Sequence, residues 1–133
     1  MSLVVDASVA AKWVLPEPGS EQAERLRETG EELIAPTLVL AEVGNAVWKR
    51  AIRGELSQVD AAMAVRTAAA LFSSLYPMEQ FALRATELAI ELRHPIYDCF
   101  YLALAEREAA VLVTADARML ASAKRAKVKV RRL

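Results

Sequence analysis

Four acidic residues stand where an isolated acid needs a reason to be. Asp6 directly follows the apolar run Leu3-Val4-Val5, and Asp116 follows Val111-Leu112-Val113 after Thr114-Ala115. Glu42 shares a helical face with Leu38, Val39, Asn45 and Lys49 by 3.6-residue spacing, and burial there costs free energy without a partner. Lys49 is two turns away and is not the natural i,i+4 partner. Asp98 is the only charge between Pro95 and Glu106. Taken singly, Asp6 and Asp116 can cap the helices that follow them, Asp98 suits the positive end of a helix dipole, and Glu42 can reach solvent. Taken together, four converging carboxylates would repel one another, and protons or a divalent cation must relieve them. Ligands of oxygen alone suit Mg2+ or Mn2+ better than zinc. Two such ions about 4 Å apart can hold a scissile phosphate for in-line attack.

Other chemistries are poorly supplied. His94 is the only histidine and Cys99 the only cysteine, so no Ser-His-Asp or Cys-His set forms without His94. Acid–base cleavage through a ribose 2′-hydroxyl often uses two histidines. Cys99, within IYDCFYLALA, reads as a buried thiol. There is no GxxxxGK[ST] loop. Position 8 is Ser8, where an Asp-x-Asp phosphatase would carry a second acid, and no aspartate lies near Tyr76-Pro77-Met78 to serve as a phospho-acceptor.

The elements that must position the acids alternate. Strands are predicted at Leu3–Asp6, Leu33–Ala35, Tyr76–Met78, Ala110–Thr114 and Val128–Arg131. Helices are predicted over Ala7–Leu15, stopped by Pro16 and Pro18, and from a Ser20 cap to about Thr29 before Gly30. A long helix runs from Thr37 to Gly54, and Ser57-Gln58-Val59-Asp60 resembles a capping box opening another to about Ser73. Further helices end at Arg93, span Ile96–Glu108, and follow Asp116. This alternation predicts a parallel sheet covered by helices on both sides, with ligands at the carboxyl ends of the strands. Trp13, Val14, Leu15 and Trp48 read as core, with a groove for a partner helix as the other possibility.

No linker or repeat divides the 133 residues, so one domain over 1–133 is expected. The chain is 55% hydrophobic and 26% charged, which excludes a disordered polymer. It has no apolar run long enough to span a bilayer and no signal peptide, so a cytoplasmic protein is expected. Net charge is zero, yet Lys124, Arg125, Lys127, Lys129, Arg131 and Arg132 crowd the C-terminus with no acid after Asp116. These are candidate nucleic-acid backbone contacts; the alternative is a final strand whose outward charges discourage edge pairing.

The order Asp6, Glu42, Asp98, Asp116 resembles that of the PIN domain, and so do the surrounding segments. VVDASVAAKWVLPE, APTLVLAEVGNAVWK, HPIYDCFYLALA and VLVTAD are similar to successive motifs of stand-alone PIN toxins of the VapC type. The match covers essentially the whole chain. The resemblance implies a three-layer α/β/α sandwich around a five-stranded parallel sheet. It implies an Mg2+- or Mn2+-dependent endoribonuclease, the toxin of a toxin–antitoxin pair, dimeric and inhibited by a small antitoxin. Asp6, Glu42 and Asp98 would be the principal metal ligands, with Asp116 completing the site directly or through water. Ser8 and Thr114 match polar positions beside the acids, and Asn45 one a turn beyond Glu42. Hydrolysis by activated water is expected to leave a 5′-phosphate and a 3′-hydroxyl. A catalytically inactive PIN-like RNA- or protein-binding module is the alternative; its sign would be a lost acid, and none is lost.

Overall fold

The fold was analysed in a computed structural model that describes residues 1–133. Five short parallel strands form one sheet: β1 (Ser2–Val5), β2 (Glu32–Pro36), β3 (Ser74–Tyr76), β4 (Val111–Thr114) and β5 (Val130–Arg132). Their order is β3-β2-β1-β4-β5. Leu3 registers with Leu33 on one side and Val111 on the other, and Leu112 with Val130. Side chains on both faces of β1 are buried, which is why the inner strands are continuous apolar runs rather than alternating ones.

The crossovers from β1 to β2 and from β2 to β3 step one way along the sheet, and those to β4 and β5 step the other way. Right-handed connections therefore place the helices on opposite faces. One layer holds α1 (Ala7–Val14), α2 (Ser20–Arg27), α3 (Leu38–Ile52) and α4 (Gln58–Leu71), with α1 packed on the other three. The other layer holds α5 (Ala82–Leu92), α6 (Ile96–Glu108) and α7 (Ala117–Arg125). Residues Cys99 to Ala105 of α6 are all buried, because α6 lies across β1, β2 and β4 and beneath α5. The expected sandwich and five-stranded parallel sheet are thus present, around one continuous apolar cluster. No helix is long and apolar enough to cross a membrane.

Local differences from the sequence reading have physical causes. The third strand begins at Ser74 and ends at Tyr76, earlier than predicted, because Ser73 N–H donates to the Leu33 carbonyl and Pro77 cannot continue the ladder. Gly19, not Ser20, caps α2: its φ of +93° suits glycine, while Ser20 Oγ accepts from Glu17 N–H and donates to the Leu15 carbonyl. Ser57 caps α4 as expected, its Oγ accepting from Asp60 N–H at 3.0 Å. Trp13 packs edge-on against Phe72 and donates to the Ala23 carbonyl, whereas Trp48 is exposed rather than in the core.

Candidate active site

The strand order reverses between β1 and β4, so this is the topological switch point where an open sheet leaves a crevice beyond its carboxyl ends. Asp6 lies at that point, its N–H on the Val113 carbonyl at 3.3 Å. Its side chain caps α1 by accepting from Val9 N–H at 3.3 Å, so the capping role is real. The cap uses only part of its capacity. Ser8 Oγ donates to Oδ1 at 2.5 Å and Thr114 Oγ1 to Oδ2 at 2.5 Å. These hydroxyls also tie the two crevice walls together: Ser8 Oγ accepts from Ala115 N–H at 3.1 Å and Thr114 Oγ1 from Asp116 N–H at 3.0 Å.

Asp6 is only 4% exposed. Burial pushes its carboxyl up to about 6, against the hydrogen bonds from Ser8, Thr114 and Val9, and the nearby charge of Asp98 adds to the rise. Glu42, half-buried on α3, is also raised, mainly by desolvation and further by Asp98 and Asp6. Its Oε1 accepts from Tyr101 Oη at 2.5 Å, which opposes the rise. Tyr101, buried on α6, is itself pushed well above the phenol range by burial and by Glu42. Asp98 sits in the first turn of α6 and is not its cap; its Oδ2 meets His94 Nε2 at 2.5 Å. Asp116 is exposed, capping α7 through Arg118 N–H at 2.9 Å.

Asp6, Glu42 and Asp98, drawn from β1, α3 and α6, therefore lie within electrostatic reach of one another. Of the four, Glu42 and Asp116 line a crevice, a cavity of about 880 Å3 also lined by Ser8, Asn45 and Lys49. The four acids do not close on a common point: no group of three acidic, imidazole or thiol side chains forms a ready cage for one ion. Like charges hold each other apart, and the partners already named each occupy an oxygen of Asp6, Glu42 or Asp98. The donor chemistry nevertheless fits a hard divalent cation, since the acids are oxygen ligands whose desolvation and mutual repulsion a cation would relieve.

The basic C-terminal cluster lies largely elsewhere. Lys127 and Lys129 border a hollow with Ala109 and Ala110, at the amino end of β4, and α7 carries Lys124 and Arg125 to that same far edge. Arg131 stands 4.0 Å from Glu31 and does not line the crevice. The cations beside the acids are instead Lys12, Lys49, Arg50 and Arg53, contributed by α1, α3 and the residue closing α3. Lys12 and Arg50 donate to the Pro18 and Pro16 carbonyls and pair with Glu17, so they pin the loop between α1 and α2. Tyr101, His94 and Ser122 were not foreseen in the sequence as partners in the acid cluster. Only the i,i+3 step from Asp98 to Tyr101 and the i,i+4 step from His94 to Asp98 pointed to the first two.

Sheet order, switch point and acids define an α/β domain of the kind that carries an acid cluster at the centre of a parallel sheet. The chain belongs to the PIN domain family, whose model matches residues 3–125. It is similar to Ribonuclease VapC3 of Pyrobaculum aerophilum, 37% identical over 87% of this chain and 90% of that protein. It is similar also to Ribonuclease VapC12 of Mycobacterium tuberculosis, 33% identical over 90% of this chain and 91% of the relative. In fold it matches a chain in the crystal structure of VapBC2 from Rickettsia felis bound to a DNA fragment from their promoter. The TM-score is 0.73, with 16% identity, over 100% of this chain and 99% of the other.

Proposed function

We propose that this chain is a divalent-cation-dependent endoribonuclease, the toxin of a toxin–antitoxin pair, restrained by a small antitoxin and working as a homodimer in the cytoplasm. The observation that carries the activity is the burial of the Asp6 carboxyl at the switch point, with Asp98 and Glu42 in electrostatic reach. Positive charge between these carboxylates would relieve their desolvation and mutual repulsion. Mg2+ or Mn2+ would supply it, together with activation of water and stabilisation of the leaving oxygen. Asp6, Glu42 and Asp98 would hold the ion, with Asp116 at the rim direct or through water. Ser8 and Thr114 orient Asp6, Tyr101 orients Glu42, and Asn45 faces the substrate side. Similarity to proteins named VapC ribonucleases supports RNA as substrate. Exposed Trp48, Ile52, Val59 and Met63 on and around α3 and α4, beside an apolar groove, support a protein partner.

The deciding experiment incubates the purified chain with linear and circularised RNA, with Mg2+, with Mn2+, or with chelator, and sequences the new ends. Cation-dependent opening of the circle, leaving 5′-phosphate and 3′-hydroxyl ends, is expected. Trimming of linear RNA alone would make it an exonuclease, and 2′,3′-cyclic phosphates would exclude hydrolysis by activated water. The second reading is an inactive RNA- or protein-binding module, whose sign would be a lost acid. RNA binding without cleavage under every cation would establish it.

A further inference from the structure

The two oxygens of Asp98 are not equivalent. Oδ2 is 2.5 Å from His94 Nε2, and the other ring nitrogen, Nδ1, is 2.8 Å from Ser122 Oγ. His94 and Ser122 are 8% and 4% exposed, so water competes little for either contact. The backbone fixes the imidazole. Arg93, with φ of +51°, closes α5 in the left-handed region, His94 N–H donates to the Ala89 carbonyl at 3.2 Å, and Pro95 starts α6. One turn of α6 then sets Asp98 against Nε2. Ser122 comes from α7, whose end is clamped to α5 by Arg125 donating to the Leu92 carbonyl at 2.9 Å.

Serine, histidine and aspartate in a hydrogen-bonded line have the composition of a hydrolytic triad, but the burial is wrong for one. A nucleophilic hydroxyl must meet its substrate, and Ser122 is enclosed. The direction of the bonds assigns a different role. An ionised carboxylate only accepts, so Nε2 carries the proton and donates to Asp98. In the neutral imidazole Nδ1 is then the acceptor, and the Ser122 hydroxyl donates to it. Ser122 thus fixes the tautomer that lets His94 hold Asp98.

We propose that Ser122 and His94 form a positioning relay that holds one oxygen of Asp98 and leaves its other oxygen to bind a divalent cation. This rests on the reading of the acids as ion ligands. The relay touches neither substrate nor reacting atoms. It stops the carboxylate turning about its terminal torsion, which is otherwise broad. Partners behind a metal ligand are typically worth roughly 10–100-fold in metal affinity.

Titration of the metal-free full chain with Mn2+, followed by calorimetry and by loss of the free-ion electron-spin signal, tests the relay without an activity assay. His94→Phe is expected to weaken Mn2+ binding by roughly 10–100-fold. His94→Gln, which presents an amide N–H toward the same oxygen, keeps most of the affinity, and Ser122→Ala falls between. In an Asp98→Asn background, His94→Phe adds no further loss. Because His94 is the only histidine, its 15N resonances read the wiring directly. Nε2 should carry the proton in the wild type, and the Nδ1 resonance should move in Ser122→Ala. Should His94→Phe fail to fold, Ser122→Ala and the resonances carry the test. Undiminished Mn2+ affinity in His94→Phe or Ser122→Ala, or a proton resident on Nδ1 alone, overturns the relay while leaving the cation reading intact. A wild-type chain that binds no Mn2+ overturns both.

Discussion

Burial lifts Asp6 from its ordinary value of 3.8 to about 6, and that direction fixes how stability depends on pH. The folded chain holds the Asp6 proton more tightly than the unfolded chain does. Its favourable contribution is complete below about pH 4, declines as pH rises, and is gone above about pH 6. The amplitude is about 3 kcal/mol, at 1.36 kcal/mol for each pH unit between the two values. Asp6→Asn removes this slope. Denaturant unfolding of the metal-free proteins from pH 4 to 7 should show the mutant gaining relative to wild type as pH rises, by that order. Asn still accepts from Val9 N–H, and the Ser8 and Thr114 hydroxyls can turn to suit an amide. Cation-dependent cleavage should be lost in the same variant. Loss of stability with activity retained would return Asp6 to the role of a simple cap. Thr114→Val keeps the shape but breaks the bonds to Asp6 and to Asp116 N–H. A cost of about 1–3 kcal/mol in the same unfolding assay is expected.

Among the elements, what could be read from the sequence depended on whether neighbours in the chain settled the outcome. β1 and β4 are unbroken apolar runs, and Pro95 and Gly54 punctuate helices, so the sheet, its parallel sense and the places of Asp6 and Asp116 were readable. The third strand was not, because its start depends on Ser73 meeting Leu33 from forty residues away. The contact between His94 and Ser122 was hidden for the same reason, since it requires α7 to dock beside the turn between α5 and α6. Gly19 was overlooked because Ser20 is the better cap by residue type; only the backbone's φ of +93° decides for glycine. A Cβ there would also stand 3.2 Å from the Lys12 side chain. Gly19→Ala is therefore expected to cost about 1 kcal/mol or more through backbone strain. Thermal unfolding beside Gly44→Ala, a helical position with open space around it, isolates that cost.

Across the whole molecule, zero net charge conceals a division between the two ends of the strands. The tail cations Lys127 and Lys129 mark the amino end of β4, away from the acids, while Lys49 lines the crevice with Glu42 and Asp116. Of the four crevice cations, Lys12 and Arg50 are engaged with Glu17, and Arg53 stands 3.3 Å from Glu55. Lys49 has no ion pair within the chain and follows Glu42 and Asn45 along one face of α3. Seven residues of helix set its backbone roughly 10 Å from that of Glu42, at 1.5 Å for each residue. Lys49 is thus placed to meet a phosphate beside the scissile one rather than the scissile group itself. A contact of that kind acts on substrate binding and is screened by salt. Lys49→Gln is expected to raise KM several-fold on a long RNA, with kcat little changed. It should also flatten the plot of log kcat/KM against log salt by roughly 0.7, the value for one single-strand phosphate contact. On a dinucleotide the same substitution should do nothing. Lys127→Gln with Lys129→Gln should leave both substrates unaffected, because those charges lie across the sheet from the chemistry. The reverse pattern would place the RNA track over β5 instead of along α3.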